Sequence, residues 1–275
     1  MTTPSMALPE GAEILEASGK GGTGNVLYRV PDGGELFVLK VYRYRRSRTR
    51  EVMRTLSHLL IEGKRGAGPK ARCQTERESL ELWAREGFRV VKPLNRALPS
   101  GLVHPATWLP YRPSPILSDV IRDNTVELTR KTKLIKTLGR DMSARHHRAG
   151  ERNEPLLIHE HGNINHFFVE DDHLIAFDLE NGFRKGYPIL EAIAQEIAGV
   201  ARSIVRADPA HADDLLKAWI DGCTHRDLLR EATRHAVHGK GPARKIKRWH
   251  DRRTRPGKAK TDVMERLLGL MGEQA

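Results

Sequence analysis

LLIHEHGNINHFFVEDDHLIAFDLENGFR, residues 156–184, is the stretch that decides how the rest of the chain reads. Leu156, Leu157 and Ile158 lead into a polar loop, His159 to Asn165. Two short apolar runs follow, Phe167 to Val169 and Leu174 to Phe177, separated by the polar residues Glu170 to His173. That pattern predicts a β-hairpin. A tight hairpin returns the chain to where it started, so the polar loop and Asp178, just past the second run, come side by side. A catalytic loop in front of a hairpin and a metal-binding Asp behind it is the arrangement of a phosphoryl-transfer site. A plain surface hairpin with a polar approach has the same local pattern, so the decision falls to residues upstream.

The upstream signal begins with a short strand, Ala12 to Ser18. Gly19, Gly21 and Gly24 follow in the order G-x-G-x-x-G, and Val26 completes G-x-G-x-x-G-x-V. Asn25 to Val30 then alternates like a strand, Pro31 to Gly34 is a turn, and Leu36 to Tyr42 is another strand. A dinucleotide-binding fingerprint needs a helix directly after its glycines, which excludes that reading. A glycine loop between antiparallel strands can instead lie over phosphates, because its backbone amides approach closely. Lys40 stands on the next strand among apolar neighbours, so its ammonium is expected to point into a cleft; a snorkelling edge lysine is the alternative. A helix over Arg72 to Glu86 carries Glu76, Leu80 and Trp83 on one face at i, i+4 and i+7, and Gly87 ends it. An acid on an apolar face needs a cation, and Lys40 is the obvious one; a solvent-facing Glu76 or Glu78 is the alternative, and the spacing to Gly87 favours Glu76.

The remaining chain supplies a second, mostly helical part. Val90 to Leu94 and Ala106 to Leu109 read as strands. Pro110 to Pro115 is a proline-rich connection and the candidate lobe boundary. Helices are expected over Leu117 to Ile121, Val126 to His147, Ile189 to Ile204, Ala212 to Ile220, Arg226 to Val237 and Asp262 to Met271, and a further one over Val52 to Ile61 in the first part. The implied domains are 1–109, 110–238 and a basic tail with a short helix, 239–275.

At 275 residues and 39% hydrophobic, the chain can bury one large core or two smaller ones. A formal net charge of +12 calls for an anionic partner. The N-terminus lacks the basic and apolar regions of a secretory signal, and no apolar run approaches membrane-spanning length, so the expected location is cytoplasmic. Cys73 and Cys223 are far apart with no metal-ligand spacing and read as reduced thiols.

Glycine loop, strand Lys, helix Glu, proline hinge, then loop and hairpin Asp: in this order the chain resembles the protein-kinase-like fold. More closely, it is similar to the bacterial lipopolysaccharide kinase families, the Kdo and heptose kinases and InaA-type proteins. The match runs over roughly residues 12 to 206. It is carried by His166-Phe167-Phe168-Val169, by Phe177-Asp178-Leu179-Glu180 in place of Asp-Phe-Gly, and by Glu76 with Leu80 and Gly87. The resemblance implies an α+β class: an antiparallel β-sheet N-lobe with one main helix, and a mostly α-helical C-lobe. It implies ATP and Mg²⁺ as ligands. Lys40 would hold the nucleotide phosphates, Glu76 would orient Lys40, and Gly19, Gly21, Gly24 and Val26 would cover the nucleotide. Asp178 would bind the metal with His166 beside it. The place of the catalytic Asp falls to His161, or to Asn163 in an alternative register.

Three functions follow from these residues and this resemblance. The first is an ATP-dependent phosphotransferase acting on a sugar hydroxyl of an anionic glycan or lipid-linked acceptor, with peripheral contact to an anionic inner-membrane surface through the basic tail. A neutral imidazole can accept a hydroxyl proton near pH 7, so loss of the carboxylate need not abolish transfer. The second is a pseudokinase that binds nucleotide or recruits a partner. The third is a basic nucleic-acid-binding protein using Arg43 to Arg50 and Lys240 to Lys260. It is the weakest, because few aromatics interleave with those basic runs.

Overall fold

The computed structural model describes residues 8–17, 24–44, 63–238 and 260–272. Gly19, Gly21, the helix expected over Val52 to Ile61 and most of both basic runs lie outside the described residues. The chain divides into two compact units: residues 1–113 with 178–184, and residues 114–177 with 185–275.

The first unit is built on a four-stranded antiparallel sheet in the order β1 (Glu13–Ala17), β2 (Val26–Asp32), β3 (Glu35–Val41), β4 (Ala106–Pro110). β2 and β3 pair in continuous register from Val26↔Val41 to Asp32↔Glu35, closing on Gly33 and Gly34. Both of those glycines have positive φ, +60° and +85°, the backbone that a two-residue hairpin turn demands. Alternation then sorts the side chains. Val26, Tyr28, Val30, Leu39, Val41, Ala106 and Trp108 form one buried apolar cluster. Lys40, between Leu39 and Val41, must therefore point to the opposite face, where its lateral neighbours are Leu27 and Thr107.

The helix described in this unit, α1 (Pro69–Arg85), begins three residues earlier than the sequence pattern indicates, because Pro69 is pre-set for the first helical turn. It ends in a Schellman motif: Phe88 N–H donates to the Trp83 carbonyl and Gly87 N–H to that of Ala84, with Gly87 at φ +85°. Phe88 packs edge-on against Trp83 across that cap. The strand expected over Val90 to Leu94 is not a ladder; Leu94 makes an isolated bridge to Trp108, since Pro93 has no amide to donate. Residues 178–184 belong to this unit. Arg65 N–H donates to the Gly182 carbonyl, Arg184 N–H to that of Gly63, and the Phe183 side chain is buried.

The second unit contains α2 (Leu117–Arg122), α3 (Leu128–Arg152), a hairpin of β5 (Phe167–Glu170) and β6 (His173–Ala176), then α4 (Ile189–Ala207), α5 (Ala212–Gly222), α6 (Arg226–His238) and α7 (Lys260–Leu270). The hairpin turn is Asp171-Asp172, both at positive φ. α3 starts two residues later than expected, after an Asx turn in which Asp123 accepts from Thr125, and runs on to Arg152, ending on left-handed Asn153. Pro155–Leu157 form a 3₁₀ turn, and Ile158 leaves it in extended conformation. α7 buries Val263, Met264, Leu267 and Leu268 and packs against α4 and α6, so this end of the expected tail is core of the second unit. No helix among the described residues is long and apolar enough to cross a membrane.

Candidate functional site

β3 and α1 together place a lysine inside a ring of carboxylates in the first unit. Lys40 Nζ lies 2.5 Å from Asp178 Oδ1, 2.7 Å from Glu76 Oε2 and 3.7 Å from Glu180 Oε2. Lys40 is 4% exposed and Glu76 0%, so the ammonium is enclosed by protein. α1 points Glu76 at the sheet because Leu80 and Trp83, one and two turns on, are buried on the same face. The Tyr42 hydroxyl donates to the same Glu76 oxygen at 2.5 Å. The other, Oε1, is buried and has no hydrogen-bond partner among the described residues.

Electrostatics keep Lys40 charged. Burial alone would lower its pKa, but the charges of Asp178, Glu76 and Glu180 outweigh burial and hold it well above the ordinary lysine value. Burial pushes the Glu76 carboxyl up to about 7; Lys40 works against that rise, and Asp178 and Glu180 add to it. Glu180 is further held by Arg72, 3.2 Å away, and by the Asn25 side-chain amide.

Glu76, Asp178 and Glu180 each bring a carboxylate oxygen within 4.8 Å of the others. Hard oxygen donors at this spacing suit Mg²⁺. Lys40 and Arg72, both buried, meet these carboxylates from the sheet and from α1.

Of the other residues singled out from sequence, Gly24 lies two residues before β2, which opens on Val26, buried and paired with Val41. His161, Asn163 and His166 lie in the second unit. His161 is half-exposed, its Nδ1 3.0 Å from Glu160 Oε2. Asn163 caps a 3₁₀ turn, its side-chain oxygen accepting from Asn165 N–H. The His166 ring stacks on His159, centroids 4.6 Å apart.

That loop is fastened by a buried network the sequence reading missed. Glu196 of α4 accepts two bonds from Arg145 of α3, at 2.6 and 3.1 Å, one from the His159 backbone N–H at 3.1 Å, and lies 2.9 Å from His146 Nε2. Arg145 also donates to the Leu157 carbonyl. Burial would raise the Glu196 carboxyl, yet Arg145 and His146 hold it far below the carboxylate range. Burial depresses the His146 imidazole despite Glu196. The loop lies directly on α4: a Cβ on Gly199 would sit 2.3 Å from the Gly162 carbonyl oxygen.

No family model and no curated protein matches the chain. Among solved structures it is similar to WaaP in complex with acyl carrier protein, at 16% identity and TM-score 0.45, over 90% of this chain and 85% of that one. It is also similar to an apo pseudokinase, at 10% identity and TM-score 0.43, over 95% and 92%. A third similar structure is the kinase domain of maize sucrose-induced receptor kinase 1 bound to AMP-PNP, at 12% and 0.41, over 98% and 96%. Among the described residues, a four-stranded antiparallel sheet with α1 makes up one compact unit and a mainly helical assembly with a β-hairpin the other, so the chain is of α+β class.

Proposed function

We propose that the chain is an ATP-dependent phosphotransferase that transfers phosphate to a hydroxyl of an anionic glycan or lipid-linked acceptor. The observation that carries the nucleotide half is the buried Lys40–Glu76 pair next to Asp178. A lysine that stays charged while enclosed by carboxylates is set to exchange some of that contact for phosphate oxygens. Glu76 and Tyr42 hold the lysine stem and fix where its ammonium points. Asp178 and Glu180 would hold Mg²⁺, with Glu76 close by. When bound, the cation supplies charge neutralisation at the phosphates.

The acceptor half rests on the resemblance and on the net charge of +12. In it His161 accepts the acceptor hydroxyl's proton, and Glu160, 3.0 Å from its Nδ1, fixes the ring orientation. A second reading, nucleotide binding without transfer, is favoured by one fact: no Asp occurs between Leu156 and Glu170.

The test is ADP release from Mg-ATP with and without a phosphorylated glycan acceptor. Acceptor-dependent release, abolished by Lys40→Met and lowered about 10²-fold or more by His161→Ala, supports transfer. Mg-ATP binding with no release for any acceptor supports the second reading. Release unaffected by Lys40→Met would overturn both.

A further inference from the structure

We propose that Arg72 is a positioning residue that sets where Glu180, and through it Asp178, stands in the cation site, and that Asn25 ties the same assembly to the end of the glycine segment. The inference rests on the nucleotide reading above. Arg72 is 1% exposed, and among the described residues its guanidinium meets, with others, four hydrogen-bond acceptors. Nε donates to the Ala67 carbonyl at 3.0 Å, and Nη2 to the Arg43 carbonyl. Nη1 donates to Asn25 Oδ1 at 2.5 Å and to Glu180 Oε2 at 3.2 Å.

The Asn25 amide donates to that same Glu180 oxygen, so one carboxylate oxygen is fixed from two directions. One donor comes from α1; the other comes from the residue immediately after Gly24. Asp178 is two residues before Glu180 and has φ +60°, in the left-handed region that aspartate visits more readily than most residues. With so short a connection, a shift of Glu180 carries Asp178 with it. Arg72 also sits one turn before Glu76 on the same face of α1. A single helix face therefore supplies Glu76 to Lys40 directly and steadies Glu180 through Arg72. Lysine at position 72 would keep the charge and lose the fork that reaches two carbonyls and two side chains at once.

The test uses the full chain and three proteins: wild type, Arg72→Lys and Asn25→Ala. ATP affinity is measured by titration calorimetry in EDTA and in excess Mg²⁺, and the ligand-free melting temperature is recorded for each. Positioning predicts that the Mg²⁺-dependent gain in affinity falls about tenfold or more in Arg72→Lys, as for other groups that orient metal ligands, while the Mg²⁺-free affinity changes much less. Asn25→Ala should show the same loss to a smaller degree; it removes no charge and decides the matter if Arg72→Lys does not fold. A purely structural Arg72 would lower the melting temperature and leave the Mg²⁺ gain intact, which would overturn the proposal. A wild type that gains nothing from Mg²⁺ would overturn the nucleotide reading, and the proposal with it.

Discussion

Replacing Lys40 by Met tests whether the ion cluster is closed in the way the distances imply. The substitution keeps an apolar stem of similar length and removes the ammonium that Glu76 meets at 2.7 Å. Among the described residues, the Glu76 carboxylate then retains the Tyr42 hydroxyl and no cation. Removing one partner of a buried pair costs about 3–5 kcal/mol, because the carboxylate left behind must stay desolvated or take up a proton that the unfolded chain does not hold at this pH. Asp178, about a third exposed, is screened by water and adds little. At about 2–4 °C per kcal/mol, the melting midpoint should fall by roughly 10 °C. The assay is differential scanning calorimetry at pH 8, where Glu76, pushed up to about 7 by burial, is mostly ionised. Lys133→Ala serves as the control, since its pair with Asp172 is exposed and its loss should leave the midpoint in place. A Lys40→Met midpoint within a degree or two of wild type would refute the enclosed cluster.

Three further outcomes are expected. Stability should fall on acidification through the Glu196 network. His146, held below its ordinary value by burial, resists protonation, so stability is lost as pH drops below about 6.5; Glu196, held low by Arg145, adds a loss below about 4.3, both read from midpoints between pH 8 and 3. Glu196→Gln should flatten the lower part of that profile while lowering stability at neutral pH. Gly199→Ala should cost about 1–3 kcal/mol by denaturant titration, because its methyl would meet the Gly162 carbonyl oxygen at 2.3 Å.

Much of the first unit is legible from local pattern. Alternation along Leu36 to Tyr42 puts Lys40 opposite the apolar cluster, and the i, i+4, i+7 spacing of Glu76, Leu80 and Trp83 turns an acid toward it. The hairpin of β5 and β6 follows from two apolar runs and a polar turn. What sequence did not disclose depends on partners distant along the chain. Arg72 meets Asn25 across 47 residues and Glu180 across 108, and no local period marks such pairs. Glu196 was detectable: it lies on the stripe of Ile189, Ile193, Ile197, Val200 and Ile204, where a buried acid requires a cation, the reasoning that found Lys40 for Glu76. Val90 to Leu94 misled because its apolar content looks like a strand while Pro93 removes a ladder donor.

Calorimetric titration of ATP into the full chain, with Mg²⁺ present and after its removal by EDTA, on wild type and Asp178→Asn, bears most directly on the central claim. The Lys40, Glu76, Asp178 and Glu180 arrangement predicts saturable binding to the wild type that Mg²⁺ strengthens, and loss of that strengthening in Asp178→Asn with the fold retained. Absence of saturable binding to the wild type, or a Mg²⁺ effect of the same size in Asp178→Asn, would contradict it.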